Sequence, residues 1–390
     1  MIKLYRELVE ILVSLEKCES YEYSKVKSAV EKSFENLGGI EKFIKKGENV
    51  LLKSNLVMRK LPEEAATTHP AVIQALAETL IKYGANVEIG DSPGGPFNEI
   101  LLKSIYKHTG MEEAAEKSGA KLSLDTTSQT IDNPNGIRLK KLTLTNMVLK
   151  ADKVISVGKL KTHSMTRMTG AAKNLFGAIP GTTKAEYHFN CQDTDSFAQC
   201  LADICTFVNP VLSFLDAVTG MEGNGPTAGN PRDIGLIMAS ENPFELDLAG
   251  AKIINTPPME IPLLKCAIGR GLCSSSAEDI EFIGENINHY VIDDFAVPEN
   301  HSLHFLGGNP PEFLVNFFKL HVYPRPVFTN RCVGCGICAE NCPAKIITIK
   351  NKHAHVDLKK CIRCYCCQEL CPHKAVDIKQ PHILKLLSKM

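Results

Sequence analysis

Apolar and polar positions alternate in blocks along the first 290 residues, in the order expected of strands that alternate with helices. Residues 49–56 form a short apolar run, and residues 85–89 form a second one. Between them, apolar side chains recur at helical spacing from Pro70 to Tyr83, and Gly84 is a stop signal. A strand, a helix and a strand within about 40 residues have the size of a βαβ unit, which predicts a parallel strand pair.

The same block pattern continues beyond this unit. Apolar runs predict further strands at 153–157, 211–218, 233–239 and within 276–287. Periodic segments predict further helices at 20–46, 195–207 and 243–254. The N-terminal segment has glutamates inside its apolar stretch, so it indicates an amphipathic helix or a strand and not a secretion signal. We therefore expect an α/β domain over 1–290, with a mostly parallel sheet and helices on its faces.

The cysteines near the C-terminus follow a doubled pattern. Each copy has three cysteines separated by two residues, then a fourth after three residues, then a proline. This is the ferredoxin run, in which the fourth cysteine of each copy ligates the other of two [4Fe–4S] clusters, whereas a zinc ribbon needs two simple ligand pairs. The predicted ligands of the first cluster are Cys332, Cys335, Cys338 and Cys371. The predicted ligands of the second are Cys361, Cys364, Cys367 and Cys342.

Because of this pattern, the segment from Pro326 to Ile378 resembles the two-cluster bacterial ferredoxins. The resemblance implies a small α+β domain over 326–390, and the irregular, proline-rich residues 291–325 are interpreted as a linker. Cys366 departs from the pattern as a ninth cysteine. We interpret it as a spare thiol beside the cluster and not as a replacement ligand.

The stretch 159–188, which follows a predicted strand, is rich in glycine and basic residues. It contains five cations and one acid, Glu186. Ligands of open α/β sheets bind beyond the carboxyl ends of the strands, so this stretch predicts a pocket for a carboxylate or a phosphate; the alternative is a solvated basic loop. Lys173, His163 and His188 are its candidate catalytic residues, and Gly170 and Asn174 are candidate ligand-binding residues.

Two other loops are expected to form walls of the same pocket. The loop after the strand at 85–89 contributes Gly90, Asp91 and Ser92. The strand at 211–218 and the glycine-rich loop after it contribute Asp216 and Glu222. Either acid could act as a general base or a metal ligand, and a base that works near neutral pH would need burial to raise its pKa.

Asp247, in the helix predicted at 243–254, is a third candidate acid. For this residue, a contact within the helix or a capping contact is an equal alternative to a role in the pocket.

Six stretches of the chain resemble the domain-of-unknown-function family 362, whose members often carry a C-terminal two-cluster ferredoxin segment. They are VLLKSNLV, TTHPAVIQALAETL, IGDSPGG, KTHSMTRMTGAAKNLFGAIPG, DAVTGMEGNGP and NPFELDLAGA. The order of His163, Lys173 and His188 is also similar to that in the nickel-pincer lactate racemase. That resemblance implies a shared fold, with Lys173 and one of the histidines at the reacting centre. Gly90-Asp91-Ser92-Pro93 stands where the racemase has a further histidine, which argues against a nickel pincer.

Composition limits the partners. Basic and acidic residues number 44 each, and a neutral chain does not have the basic excess of a nucleic-acid binder or of a protein that binds anionic membranes. No apolar run approaches the roughly 20 residues that span a bilayer. Fifteen cysteines without a secretion signal indicate a reducing, anaerobic cytoplasm.

We therefore expect an anaerobic oxidoreductase in which electrons from a soluble ferredoxin- or flavodoxin-like partner reach a small anionic substrate through two [4Fe–4S] clusters. Two alternatives stay open: an electron carrier or metal- or cofactor-maturation protein, and a racemase-like isomerase whose clusters are structural. No G-x-G-x-x-G fingerprint follows an early strand, so a nicotinamide is not expected. An additional metal or a flavin in the α/β domain stays open.

Overall fold

The computed structural model describes residues 12–181, 183–191, 193–298 and 324–379. The strands of its α/β part are β1 Leu12–Lys17, β2 Asn49–Lys53, β3 Asn86–Gly90, β4 Lys121–Leu122, β5 Ser128–Asp132, β6 Lys141–Thr145, β7 Lys153–His163, β8 Arg167–Thr169, β9 Leu212–Glu222, β10 Asn230–Ser240 and β11 Glu281–Gly284. Its helices are α1 Tyr23–Asn36, α2 Pro70–Tyr83, α3 Glu99–His108, α4 Met111–Ser118, α5 Asn146–Leu149, α6 Ala171–Asn174, α7 Thr183–Asn190, α8 Thr194–Val208, α9 Pro243–Ile253 and α10 Pro262–Gly269.

One large sheet organises this part of the chain. Its strand order is β11-β1-β10-β9-β7-β2-β3-β4, and β8 pairs with β7. The strands from β4 to β9 along this order are parallel, whereas β10 is antiparallel to both of its neighbours. β5 and β6 form a separate antiparallel pair. The predicted α/β class with a mostly parallel sheet is confirmed.

Apolar side chains cover both faces of the sheet. Phe214 of β9 packs against Phe34 of α1 on one face, with ring centroids 5.4 Å apart. Leu215, the next residue of the same strand, belongs to a cluster with Leu246 of α9 on the other face. Successive side chains of a strand point to opposite faces, so a strand with two buried faces reads as a continuous apolar run.

Helix α2 has the ends that the sequence predicts. His69 precedes it, and its Nδ1 accepts a hydrogen bond from Ala71 N at 3.2 Å, while Pro70 occupies the first turn. Gly84 ends the helix in the left-handed conformation, which glycine adopts without a steric penalty. Helix α1 is shorter than the helix predicted over 20–46, and loop and 3₁₀ turns follow it.

Strand β7 is longer than predicted, since it continues from Val157 through Lys159, Lys161 and His163. Charged residues in a buried strand are unfavourable unless other groups form hydrogen bonds or ion pairs with them, and both lysines have such partners here. Lys159 Nζ lies 2.9 Å from Asp216 Oδ2, and Lys161 Nζ donates to Asn55 Oδ1 at 2.7 Å. Because of these tertiary contacts, β7 can present Lys159, Lys161 and His163 on one face near its carboxyl end.

The C-terminal part is small and has separate strand pairs. It contains β12 Arg325–Phe328, β13 Ile347–Lys350, β14 His353–Val356, β15 Val376–Lys379, α11 Ile337–Glu340 and α12 Cys366–Glu369. β12 pairs with β15 and β13 pairs with β14, both antiparallel. This is the predicted α+β arrangement. Most of the predicted linker 291–325 lies outside the described residues, so the domain boundaries stay predictions. No helix in the described ranges is both long and apolar enough to span a bilayer.

Candidate functional site

A cavity of about 110 Å³ lies where the carboxyl ends of β2, β3 and β7 meet the C-terminal part of the chain. Its volume exceeds what a single water molecule needs. The α/β part supplies most of the wall, and Cys366, Glu369 and Leu370 of the cysteine-rich segment close it. The cavity is therefore shared by the two parts of the chain.

Six residues that the sequence analysis proposed for this site line the cavity. They are Asp91, Ser92, His163, Lys173, Asn174 and His188. Four others do not line it: Gly90, Gly170, Asp216 and Glu222. The structure thus brings together the loop after β3 and the basic stretch, as predicted, but it places the two candidate acids elsewhere.

Four lysines lie at or just behind the cavity wall: Lys53 and Lys161 are buried, and Lys173 and Lys184 are half-buried. Two of them, Lys161 and Lys184, have neutral hydrogen-bond acceptors only. Lys53 Nζ lies 2.7 Å from Asp91 Oδ1 and forms an ion pair. Lys161 Nζ donates to Asn55 Oδ1 and to the Ala66 carbonyl. Lys184 Nζ donates to the carbonyls of Ser92 at 2.6 Å and Ile179 at 2.7 Å.

Lys173 is the fourth amine, and within the described ranges no side chain or carbonyl lies at hydrogen-bond or ion-pair distance from its Nζ. Beyond the Lys53–Asp91 pair, the lining contains three lysines and one carboxylate, Glu369. An excess of positive charge in a cavity of low polarity is unfavourable without a counter-ion.

Burial shifts the pKa values of these lysines, because a low-dielectric environment disfavours the charged form. It lowers the pKa of Lys161 well below its usual value and lowers the pKa of Lys173 as well. For Lys184, burial lowers the pKa to about 7, against a smaller opposing effect of Asp91. Lys184 is therefore poised to gain or lose a proton near neutral pH.

His163 joins the two parts of the chain. Its Nδ1 accepts hydrogen bonds from Met165 N at 3.1 Å and Thr166 N at 3.3 Å, which assigns the ring proton to Nε2. Nε2 lies 3.1 Å from Glu369 Oε1. Burial lowers the pKa of His163 to about 4, and His163 and Lys173 help to hold the pKa of Glu369 at about 2 despite its burial. The pair is a neutral imidazole beside a carboxylate.

His188 faces the cavity with one free nitrogen. Its ring stacks on Phe197, with centroids 4.4 Å apart, and meets the edge of Phe176. In the described parts of the chain, its buried Nδ1 has no hydrogen-bond partner. Burial lowers the pKa of His188 to about 4, so the ring is neutral and can donate to or accept from a bound ligand.

Glycines allow the walls to approach closely. A Cβ on Gly177 would lie 2.1 Å from Asp91 Oδ1 and 2.4 Å from Lys53 Nζ. A Cβ on Gly94 would lie 2.8 Å from Leu370 Cδ2, across the contact with the cysteine-rich segment. A larger residue at either position would require these side chains to shift.

Asp216 has a different environment from the one expected of a catalytic base. It is fully buried, and it accepts hydrogen bonds from Tyr21 OH at 2.8 Å and from His69 N at 2.9 Å, in addition to its ion pair with Lys159. These contacts connect three distant segments of the chain. The geometry fits a structural role for Asp216.

The other candidates outside the cavity also have internal partners. Glu222 Oε2 accepts from Ala296 N at 3.2 Å, and its other oxygen lies 3.7 Å from Arg232. Asp247 accepts from Ala171 N at 2.5 Å and caps the start of α6, which is the capping alternative stated for it. Gly170 leaves room for Asp247, because a Cβ there would lie 2.1 Å from its Oδ1.

The eight predicted cluster ligands form two neighbouring groups. Burial, together with the neighbouring thiols of Cys332, Cys335 and Cys371, raises the pKa of Cys338 to about 11. Burial raises the pKa of Cys367, and the neighbouring thiols of Cys364, Cys361, Cys338 and Cys342 raise it further. Backbone N–H groups point at two sulfurs, from Ala354 to Cys332 Sγ at 3.4 Å and from Ala375 to Cys371 Sγ at 3.3 Å. Such bonds are typical of cluster ligands.

The donor set therefore fits [4Fe–4S] clusters, and the division of the eight cysteines between two clusters stays a prediction. In the ranges that the structure describes, no three His, Cys, Asp or Glu side chains converge on one metal ion. A cubane does not require this, because it distributes its thiolates over four irons.

Comparison with known proteins agrees with this division of the chain. Residues 331–375 match the 4Fe-4S dicluster domain, so this is an iron–sulfur protein with [4Fe–4S] clusters. Residues 50–252 match the domain of unknown function DUF362. The chain belongs to the DUF362 family. The thylakoid-associated protein sll1697 of Synechocystis is 33% identical to this DUF362 protein over 292 residues, which are 74% of this chain and 88% of that protein.

Two solved structures are more distant from this DUF362 protein. The lactate racemase apoprotein from Thermoanaerobacterium thermosaccharolyticum has 12% identity and a TM-score of 0.41, with 63% of this chain and 57% of that chain covered. A structural-genomics protein from Thermotoga maritima has 11% identity and a TM-score of 0.33, with 58% and 57% covered. The matches therefore span less than two thirds of either protein.

Sequence analysis missed several residues of the DUF362 site. Asn55, just after β2, and Glu369, inside the second cysteine run, line the cavity, and Lys53 of β2 lies behind the lining as the ion-pair partner of Asp91. Lys184 is one of the five cations of the basic stretch, and nothing in the sequence indicates that its pKa is lowered. A lysine within an apolar strand was the available signal for Lys53, since a buried lysine requires a partner or a function.

Proposed function

We propose that this DUF362 protein is an oxidoreductase that reduces a small anionic substrate in the cavity between its α/β part and its cluster-binding segment. One observation carries the proposal: the loop that holds the second cysteine run also supplies Cys366 and Glu369 to the lining of a lysine-rich cavity. When bound, the clusters supply one-electron carriers of low potential. A binding site that shares its wall with such carriers is placed for electron transfer.

The α/β residues then have distinct roles. Lys173 provides charge for the anion and Lys161 provides a hydrogen-bond donor. Asn55 holds Lys161 in position through a hydrogen bond, and Asn174 does the same for Lys53. Asn174 Oδ1 accepts from Lys53 Nζ at 3.2 Å, and its amide donates to the Lys53 carbonyl at 2.9 Å. This network fixes the wall before a ligand arrives, which lowers the ordering cost of binding.

Reduction of an organic anion also consumes protons, and Lys184 is the proposed donor. Its pKa of about 7 matches the working pH, which is the condition for efficient general acid catalysis. His188 is neutral and has a free Nδ1, so we assign it to hydrogen bonding with the substrate. His163 is assigned to positioning Glu369 across the boundary between the two parts.

We also propose that the protein works in an anaerobic cytoplasm and exchanges electrons with a soluble carrier. The fifteen cysteines, several of them free thiols in the core of the α/β part, support a reducing environment.

The test uses anaerobic protein with both clusters loaded and reduced by photoreduced deazariboflavin. Small carboxylates and phosphates are added singly, and re-oxidation of the clusters is followed by visible absorbance. We expect at least one anion to re-oxidise the wild type, and Lys173→Ala to slow this strongly. Lys103→Ala, at an exposed lysine paired with Glu99, is the control. An anion that binds without re-oxidising the clusters, and is isomerised by the unreduced protein, would contradict the proposal.

A further inference from the structure

The surface around Cys335 differs from the cavity side of the cluster-binding segment. Asn341, just before the last cysteine of the first run, and Cys366, Glu369 and Leu370 of the second run line the cavity, whereas residues 332–338 do not. Cys335 is instead the exposed thiol among the eight predicted ligands. Residues 332–338 therefore lie outside the cavity lining, and Cys335 among them is open to solvent.

Two exposed apolar side chains lie close to the first cysteine run, one in sequence and one through the β13–β14 pair. Val333 is 52% exposed, between two cluster ligands. Ile349 of β13 is 36% exposed and pairs with Ala354, whose N–H donates to Cys332 Sγ. Exposed apolar residues beside polar ones are typical of the centre of a protein–protein interface.

Lysines surround these apolar residues. The turn between β13 and β14 contains Lys350 and Lys352, both exposed, and the backbone of Lys352 packs on Gly334, where a Cβ would lie 2.6 Å from the Lys352 carbonyl carbon. Among the described residues, neither lysine has an ion-pair partner at the distances found for the other salt bridges. Arg331, also exposed, pairs with Asp377 at 3.0 Å.

The whole segment is basic although the chain is neutral. Residues 324–379 contain ten lysines and arginines against four aspartates and glutamates, one of which is the cavity residue Glu369. Bound clusters add negative charge, but they add it inside the segment, whereas Lys350 and Lys352 remain at its surface. A partner that approaches Cys335 therefore meets positive charge first.

We infer that the surface formed by Val333, Cys335, Ile349, Lys350 and Lys352 is the docking site of an acidic one-electron carrier protein. The inference rests on the proposed electron-transfer function. It specifies which surface of this protein the partner binds and that the partner is acidic. Complementary charge accelerates encounter by about 10 to 10³-fold at low ionic strength, and electron-transfer complexes have small interfaces of this kind.

The experiment measures cluster reduction directly and does not require the substrate. Full-length, cluster-loaded protein is mixed with a chemically reduced acidic two-cluster ferredoxin in a stopped-flow instrument, and the second-order rate constant is followed as ionic strength increases. We expect a rate that falls with salt. Lys350→Glu/Lys352→Glu should lower the low-salt rate at least about tenfold, and the difference from the wild type should disappear at high salt.

The matched control is Lys45→Glu/Lys82→Glu, which makes the same charge change before β2 and β3, at the edge of the sheet opposite the cavity. It should keep the wild-type rate. Reduction by deazariboflavin, a small uncharged reductant, should be equal in all three proteins, which verifies that the clusters are intact. Carbodiimide cross-linking followed by mass spectrometry should join Lys350 or Lys352 to the carrier.

Equal rates in the two double variants would overturn the assignment of this face. A wild-type rate that is insensitive to salt, or that is higher with a basic carrier, would overturn the assignment of charge, and it needs no variant. Because neither result depends on turnover, a protein that accepts electrons here but reduces no anion would refute the proposed function alone.

Discussion

His163 Nε2 lies 3.1 Å from Glu369 Oε1, so a strand of the α/β part contacts the cysteine-rich segment inside the cavity. The two residues are 206 positions apart in a chain of 390; the His163 side chain is 1% exposed and that of Glu369 is 17% exposed. Neighbouring hydrogen bonds support this contact: Gln368 Nε2 donates to the Asn224 carbonyl at 2.8 Å, and Thr227 Oγ1 donates to the Glu369 carbonyl at 2.9 Å. The loop after β9 thereby holds the cluster-binding helix α12 against the cavity.

Cys342→Ser should damage the second cluster and leave the first. Cys342 lies in the first cysteine run, but its sulfur is a neighbour of Cys367. The wild type should contain about eight irons per chain, and the variant should lose spectroscopic signals of one cluster only. Cys205→Ser, at a buried cysteine of the α/β part, is the control and should keep both clusters. Loss of the signals of the first cluster instead would refute the ligand assignment.

Cys366→Ser should retain both clusters. The eight-cysteine pattern is complete without Cys366, whose side chain lines the cavity beside Lys173. Iron analysis and low-temperature electron paramagnetic resonance of the reduced protein would check this. If the variant lost one cluster while Cys367→Ser kept both, Cys366 would be the ligand.

Lys173→Ala should abolish anion binding, and Lys173→Arg should preserve it at reduced affinity. The reason is that Nζ acts as a charge without any internal partner in the described structure, and arginine keeps the charge. Isothermal titration with the anion identified by re-oxidation would measure both. A covalent adduct on Lys173 in the intact mass, together with no binding by the arginine variant, would favour a covalent anchoring role instead.

Anion affinity should fall as pH rises through about 7. Lys184 has its pKa lowered to about 7, so it is charged below that pH and neutral above it, and only the charged form attracts the anion. If binding requires this charge, the dissociation constant rises up to about tenfold per pH unit above the pKa. Lys184→Met should bind more weakly at low pH and lose the pH dependence. A wild-type affinity that stays constant from about one pH unit below this pKa to about one unit above it would contradict the role assigned to the Lys184 ammonium group.

Asp216→Asn should destabilise the fold without changing the clusters. Removing one partner of a buried ion pair leaves Lys159 uncompensated and costs about 3–5 kcal/mol. Glu222→Gln is the matched control, since its contact with Arg232 is longer and more exposed and should contribute less than about 1 kcal/mol. Denaturant unfolding of both variants would measure the difference. An Asp216→Asn protein of wild-type stability that has lost turnover would support a catalytic role for Asp216.

The sequence by itself determined the features that are coded locally. The two cysteine runs, the bounds of α2, the βαβ order and the position of the basic stretch depend on spacings within one segment, where a proline, a glycine or a thiol at a fixed offset has a direct structural meaning. The loop at Asp91 and the residues Lys173, His163 and His188 were also expected at the carboxyl edge of the sheet, because parallel strands end there together.

Only the tertiary structure decided how the charges are paired. Lys159 and Lys161 are both lysines on the same face of β7. Lys159 forms an ion pair with Asp216, whereas Lys161 donates hydrogen bonds to neutral acceptors and lines the cavity. Asn55 and Glu369 line the cavity although they are 314 positions apart in the chain, and Lys53 pairs with the lining residue Asp91. Pairing over such separations has no periodic signature in the sequence, since it depends on which strands become neighbours and on how the cluster-binding segment packs against them.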